Sequence, residues 1–85
     1  MVNFAEQYHR YMAELKYNRL KVVLAEPDIT NKWLAEQLNV TEITVSRWTS
    51  NKRQPHLEQL FAIANVINVS PRELLYDHQP LQNNI

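Results

Sequence analysis

The chain has 85 residues, a formal net charge of zero and neither cysteine nor glycine. The length excludes large catalytic barrels and doubly wound sheets, and the composition excludes disulfides, thiolate metal sites and glycine-rich phosphate loops. Residues 16–56 hold seven lysines and arginines against four acidic residues, which leaves room for a local basic face. Because no apolar run suits a signal peptide or a membrane span, we expect one soluble cytoplasmic domain.

The first predicted element covers residues 2–26 and is either one bent helix or two helices with a break near Asn18. Its first part carries an apolar stripe at helical steps of four, four and three: Phe4, Tyr8, Met12 and Leu15. A second stripe, at a different phase, follows: Leu20, Val23 and Leu24. Pro27 ends the segment. We expect residues 1–17 to form an N-terminal amphipathic helix that covers the domain or dimerises.

Three later helix starts share one design, an apolar residue before a hydroxyl cap and another apolar residue five positions after the first. They are Ile29–Thr30–Leu34, Val40–Thr41–Val45 and Val69–Ser70–Leu74. Each combines an N-cap with a hydrophobic staple, and Pro71 and Glu73 strengthen the third. In a chain without glycine, asparagine is the residue that takes the left-handed conformation that ends a helix. Suitable asparagines follow three of the predicted helices: Asn39, Asn51 and Asn68.

These signals predict an all-α fold with further helices over residues 31–38, 42–49, 57–67 and 71–76, followed by a flexible tail over 77–85. The helix over 57–67 has an apolar face formed by Leu57, Leu60, Phe61, Ala64 and Ile67.

The link between the helices over 31–38 and 42–49 is only three residues long, which forces a sharp crossing. Ala35 is small enough to let the two helices approach closely, and Val40 fills the space at the link between them. Val45 points inward and anchors the second helix to the core. A helix held by its back presents its front to solvent, as a helix entering a DNA major groove must.

The stretch Lys21–Leu75, about two thirds of the chain, resembles the lambda-repressor-like helix-turn-helix family (Cro/repressor type, XRE). The resemblance is carried by Thr30-Asn31, Leu34-Ala35, Leu38-Asn39-Val40-Thr41, Val45-Ser46-Arg47-Trp48, Asn51, Pro55, Leu57-Glu58, Leu60, Ile63-Ala64, Val69-Ser70 and Leu74-Leu75. It implies a compact bundle of five short helices, with the DNA-binding domain over residues 18–76, and usually a dimeric repressor.

The chain departs from the family pattern at five positions. Asn31 stands where the family often has a glutamine that reaches a phosphate. Asn39 and Asn51 stand where it prefers glycine. Thr49 replaces a frequent glutamate, and His56 replaces a frequent serine cap.

The helix over 42–49 supplies the residues expected to read bases. Arg47 can pair with guanine O6 and N7, unless it is merely a solvated arginine. Glu42 could accept from a cytosine amine, but an acidic residue in a first turn also stabilises the helix dipole. Ile43 could touch a thymine methyl, and Thr44 shares the same first turn.

A second group is expected to hold DNA phosphates, which sets register without reading sequence. It consists of Asn31, Lys32, Thr41, Ser46, Asn51, Lys52 and Arg53. The alternative is that the loop after the reading helix is simply a solvated charged loop.

Two tryptophans receive different predictions. Trp48 is expected in the core. Trp33 is expected to be exposed, and we hypothesise that the stripe of residues 4–15 covers it, within one subunit or across a dimer. The three histidines are far apart and no nucleophile–base pair stands out, so we expect no metal, no cofactor and no enzyme activity.

The sequence thus predicts a sequence-specific regulator of transcription, a repressor or autoregulator of bacterial or phage type. It would bind double-stranded DNA as a homodimer on an inverted repeat. The competing hypothesis is a protein-interaction module, such as an antitoxin, that uses the N-terminal helix and Trp33 to bind a protein partner.

Overall fold

The computed structural model describes residues 3–77, without the side chain of Glu14. It contains five α-helices: α1 (Phe4–Glu14), α2 (Leu20–Ala25), α3 (Asn31–Leu38), α4 (Glu42–Thr49) and α5 (Leu57–Ile67). A 3-10 helix, Pro71–Leu74, follows. Within residues 3–77 the one strand-like feature is an isolated antiparallel bridge between Asn18 and Leu75. The all-α prediction is therefore confirmed.

Helix boundaries follow the predicted caps. The Thr30 hydroxyl accepts from the backbone N–H of Trp33 at 3.0 Å, and the Thr41 hydroxyl accepts from that of Thr44 at 3.1 Å. The helix-ending positions are left-handed at asparagine, with φ of 55° at Asn39 and 59° at Asn68. Their N–H groups bond to carbonyls of the last turn, so asparagine here replaces the usual glycine.

The first segment is two helices, with residues 15–19 between α1 and α2. Asn18 lies in this break, as predicted, and its side-chain oxygen accepts from the N–H of Leu20 at 3.1 Å. The Tyr17 hydroxyl donates to the carbonyl of Met12 at 3.1 Å, which satisfies one of the free carbonyls near the end of α1.

The core lies between α2, α3, α4, α5 and the 3-10 helix. Its buried side chains are Leu20, Leu24, Leu34, Ala35, Val45, Trp48, Leu60, Ile63, Ala64 and Leu74. Val40 packs against this cluster from the corner between α3 and α4. The predicted placements of Ala35, Val40, Val45 and Trp48 are confirmed.

The predicted apolar face of α5 was partly wrong. Leu57 and Phe61 are 69% and 56% exposed, and Ile63 is buried in their place. The buried face is centred on Leu60, Ile63 and Ala64, since α5 packs against α3 and the 3-10 helix on that side.

The last predicted helix, over 71–76, is shorter than expected. Only Pro71–Leu74 is helical, and as a 3-10 turn. Beyond it the chain is extended, because its backbone pairs with the segment before α2. The N–H of Arg19 donates to the carbonyl of Leu74 at 2.8 Å, and the N–H of Tyr76 donates to that of Tyr17 at 3.1 Å. Residues 78–85 of the predicted tail lie outside the described residues.

Helix α1 stands apart from the other described elements, since none of its Cα atoms comes within 8 Å of a Cα in another helix. Phe4 and Tyr8 are exposed, and so is Trp33 at 41%. The hypothesis that the N-terminal stripe covers Trp33 within one subunit is therefore wrong. The five-residue link that leads from α1 to α2 bonds to the end of α4 instead. Cover across a dimer stays a prediction.

Candidate nucleic-acid interface

Helix α4 is held by one face and presents the other. Val45 and Trp48, three residues apart, are both buried. Positions three residues apart share a side of a helix, so the positions on the opposite side turn outward. Arg47 and Glu42 are exposed, and Ile43 is 65% exposed. Burial of the back of the helix thus fixes the direction of the predicted base-reading residues.

Arg47 faces a groove between α4 and the start of α5. The groove is lined by Thr44, Arg47, Trp48, Arg53, Gln54, His56 and Gln59. The carbonyl of Arg47 accepts from the backbone N–H groups of Lys52 and Arg53 at 3.0 and 3.2 Å. The end of α4 and the basic loop are therefore fixed relative to each other, with two guanidinium groups bordering one groove.

A second cleft lies on the other side of α4, toward α2 and the start of α3. It is lined by Lys21, Leu24, Ala25, Ile29, Asn31, Ser46, Thr49 and Ser50. It brings together two of the predicted phosphate contacts, Asn31 and Ser46. Lys21 adds a positive charge beside them.

At the start of α4 two hydroxyls share one hydrogen bond. The oxygens of Thr41 and Thr44 are 2.8 Å apart, and Thr41 also accepts from the N–H of Thr44. Since two hydroxyls carry two protons and the pair uses one, the other can go to an outside acceptor. Thr44 is half-buried, so its side chain is less accessible to DNA bases than the exposed side chain of Ile43.

Asn51 has a different role from the predicted one. Its side-chain oxygen accepts from the N–H groups of Tyr17 and Asn18, both at 3.0 Å, and from the Gln54 amide at 3.1 Å. Its side-chain nitrogen donates to the carbonyl of Asn18 at 3.0 Å. This asparagine thus holds the fold together from a left-handed position. A phosphate contact by Asn51 stays a prediction.

The other predicted residues are exposed without lining either groove. Lys32 lies in the first turn of α3, Lys52 in the loop after α4, and Glu42 in the first turn of α4. Within residues 3–77 no hydrogen bond reaches the Glu42 side chain, whose charge in this first turn stabilises the helix dipole.

Sequence reasoning missed three polar residues beside Arg47. His56 and Gln59 form a capping box at the start of α5, in which the His56 ring nitrogen Nδ1 accepts from the N–H of Gln59 at 3.3 Å. Gln54 completes the groove wall. The signal was present, since a polar residue and a glutamine three positions later, at the start of an apolar helix, are typical of a capping box.

Residues 3–77 bring together no cluster of three or more histidine, aspartate or glutamate side chains that could hold a metal ion. None of the described helices has the length and apolar character needed to cross a membrane.

The comparisons with known proteins agree with this geometry. A helix-turn-helix family model matches residues 20–74. The HTH-type transcriptional activator BcrR of Enterococcus faecalis is 35% identical over 57 residues, which are 67% of this chain and 28% of BcrR. The matched region thus spans just over a quarter of that relative.

Two crystal structures share the fold. One, of a protein from Bacteroides fragilis that is proposed to bind DNA, has 56% sequence identity and a TM-score of 0.68 and covers 69% of this chain and 95% of its own. The other, of a transcriptional regulator from Listeria innocua, has 27% identity and a TM-score of 0.65, with coverage of 82% and 68%. The chain belongs to the lambda-repressor-like helix-turn-helix family of DNA-binding transcription regulators, as the resemblance over residues 21–75 predicted.

Proposed function

We propose that this chain binds double-stranded DNA with sequence specificity by placing α4 in the major groove. One observation carries the proposal: burial of Val45 and Trp48 turns Arg47 outward into a groove that it shares with Arg53. Arg47 and Ile43 then read base edges, with Glu42 and Thr44 at the start of the same helix.

The phosphate contacts flank this helix on both sides. On one side Lys52 and Arg53 follow α4. On the other, Asn31 and Lys32 lie at the start of α3, and Ser46, in the middle of α4, lines a cleft with Asn31. Thr41 contributes through the hydroxyl pair at the start of α4. Contacts on both flanks fix the register of the reading helix along the duplex.

We further propose that two copies bind an inverted repeat, with half-sites about 34 Å apart on one face of the duplex. A dimer bound at a promoter would block access to that DNA without needing contact with any other protein. We therefore propose that the dimer acts as a repressor or autoregulator. The relative from Enterococcus faecalis is named an activator, which makes activation the alternative result. A reporter gene placed behind the selected site distinguishes the two.

The test is selection of duplexes from a random pool by the full chain, followed by footprinting. We expect one enriched sequence with two-fold symmetry, protection at the predicted spacing, and affinity that falls steeply with salt because several phosphates are contacted. Failure to enrich any duplex at low ionic strength would contradict the proposal.

A second candidate function follows from α1 and Trp33. Helix α1 exposes Phe4 and Tyr8 apart from the core, and Trp33 lies in a shallow cleft with Asp28, Ile29 and Thr30. As a protein-interaction module, an antitoxin for example, the chain would bind its partner through these apolar side chains. Binding of that kind responds weakly to salt, and it would be lost in Trp33→Ala while DNA binding persisted.

A further inference from the structure

Asn18 is the one polar residue that the described part of the chain buries almost completely, at 2% exposure. A buried amide is stable only when its donors and acceptor are all paired. An apolar side chain of similar shape could fill such a site without that requirement. The hydrogen-bond partners of the Asn18 side chain indicate which part of the fold its amide holds in place.

The Asn18 side-chain nitrogen bonds to the last turn of α4 and to the loop that follows it. It donates to the carbonyl of Trp48 at 2.9 Å and to the side-chain oxygen of Gln54 at 2.8 Å. The backbone of Asn18 also pairs with Asn51 in both directions, each at 3.0 Å. Asn18, which precedes α2, is thus hydrogen-bonded to the last turn of α4 and to both ends of the loop over 51–54.

This loop carries the basic residues of the proposed interface. Lys52 and Arg53 donate their backbone N–H groups to the carbonyl of Arg47, while Gln54 bonds back to the Asn51 side chain. These local bonds hold the loop against the end of α4, and Asn18 adds its connection to the segment before α2. If that connection were broken, only the local bonds would restrain the loop, and the two basic side chains would be positioned less tightly beside Arg47.

We propose that Asn18 is a positioning residue for DNA binding, an inference that rests on the function proposed above. It touches no DNA itself. Its buried amide holds the loop over 51–54 in the shape that presents Lys52 and Arg53 to phosphates beside the groove that Arg47 reads.

Two variants test this inference in the full chain. Asn18→Asp keeps the acceptor for Leu20 but places a carboxylate oxygen against the Trp48 and Gln54 oxygens. Gln54→Met removes one partner of the amide from the exposed side. Because Gln54 also lines the Arg47 groove, faster exchange of the Lys52 and Arg53 amides in the free protein is the readout that counts for this variant. Ile63→Val, a buried change in α5, which packs against α3 and the 3-10 helix, is the control for lowered stability.

The measurements are affinity for the duplex that the wild-type chain selects, at several salt concentrations, and amide hydrogen exchange in the free protein. We expect both variants to bind about tenfold more weakly at low salt, with a slope of log affinity against log salt reduced by about 1 for each phosphate that is no longer neutralised. The amides of Lys52 and Arg53 should exchange faster, and those of α3 should not change.

The inference is overturned if the two variants lose no more affinity than Ile63→Val does at an equal fall in melting temperature. It is also overturned if the Lys52 and Arg53 amides keep their protection. A wild-type chain that selects no duplex would overturn the proposed function and this inference together. Normal duplex selection with unaffected variants would overturn this inference alone.

Discussion

Helices α1 and α4 are both amphipathic, yet only one is part of the core. Helix α4 has eight residues and buries Val45 and Trp48, while α1 has eleven residues, of which none with a described side chain is fully buried. An isolated helix of this length is marginal in water unless its apolar face is covered. The comparison teaches that a hydrophobic stripe predicts a helix, whereas the connections on either side of the helix decide what the stripe meets.

The connections of the two helices differ in kind. Only three residues join α3 to α4, and the capped ends and Val40 force the pair together. The link from α1 to α2 is five residues long, and its long-range hydrogen bonds run to the end of α4, to the loop after it and to residues 73–76. As a result the link is joined to the domain while α1 itself does not pack on it, and the following predictions test this contrast.

The largest effect is expected inside the domain. Leu34→Ala should lower the free energy of unfolding by about 2–5 kcal/mol, because Leu34 is fully buried between α3 and the rest of the core. Urea denaturation followed by circular dichroism measures it. Leu57→Ala is the matched control, since Leu57 is 69% exposed and should change stability by less than about 0.5 kcal/mol. Equal losses in the two variants would contradict the described core.

The next largest effect concerns DNA binding. Arg47→Ala should weaken binding to the selected duplex by about 1–3 kcal/mol and relax the preference at one base position, without lowering the melting temperature. Arg10→Ala removes the same charge from exposed α1 and serves as the control. If both variants bind alike, Arg47 reads no base.

A smaller effect is expected at the turn between α3 and α4. Asn39 has φ of 55°, a region that costs a residue with a β-carbon about 1–2 kcal/mol unless its side chain helps locally. Asn39→Ala should therefore destabilise by about 1 kcal/mol, while Asn39→Gly should stay close to the wild type. Thermal unfolding of the two variants compares them directly. An alanine variant as stable as the glycine variant would show that the turn relaxes out of this conformation.

The smallest effect on folding is expected in α1. Replacement of both Phe4 and Tyr8 by serine should change the free energy of unfolding by less than about 0.5 kcal/mol at low protein concentration, because neither side chain reaches the core. A larger loss that grows with protein concentration would instead show that the stripe is covered by a second copy. Analytical ultracentrifugation of the same variant distinguishes these two results.

The sequence was most informative where one residue type has one local role. Thr30 and Thr41 capped helices as predicted, and Asn39 and Asn68 ended them. These roles depend on hydrogen bonds within a few residues, which is the range over which a sequence pattern is unambiguous. The position of Arg47 followed from the same local logic, because Val45 and Trp48 fix the rotation of α4.

Errors arose where distant segments decide the outcome. Asn51 carries an exposed-loop pattern, yet its side chain bonds to residues 33 and 34 positions away in the chain. The helix predicted over 71–76 ends early because its last residues pair with the segment before α2. Phe61 follows a helical spacing that two phases of α5 could satisfy, and the packing of α5 against α3 and the 3-10 helix selects one of them.

The pairing of Tyr17 with Tyr76 has a topological consequence. Their backbones share a hydrogen bond of 3.1 Å, so the domain between them is nearly a closed ring. A short linker could join these two points, and new ends could be opened at the exposed turn over residues 26–28. Such a circular permutant would leave α3, α4 and their connection uninterrupted. The position of α4 would then not depend on the order in which the other segments follow one another along the chain.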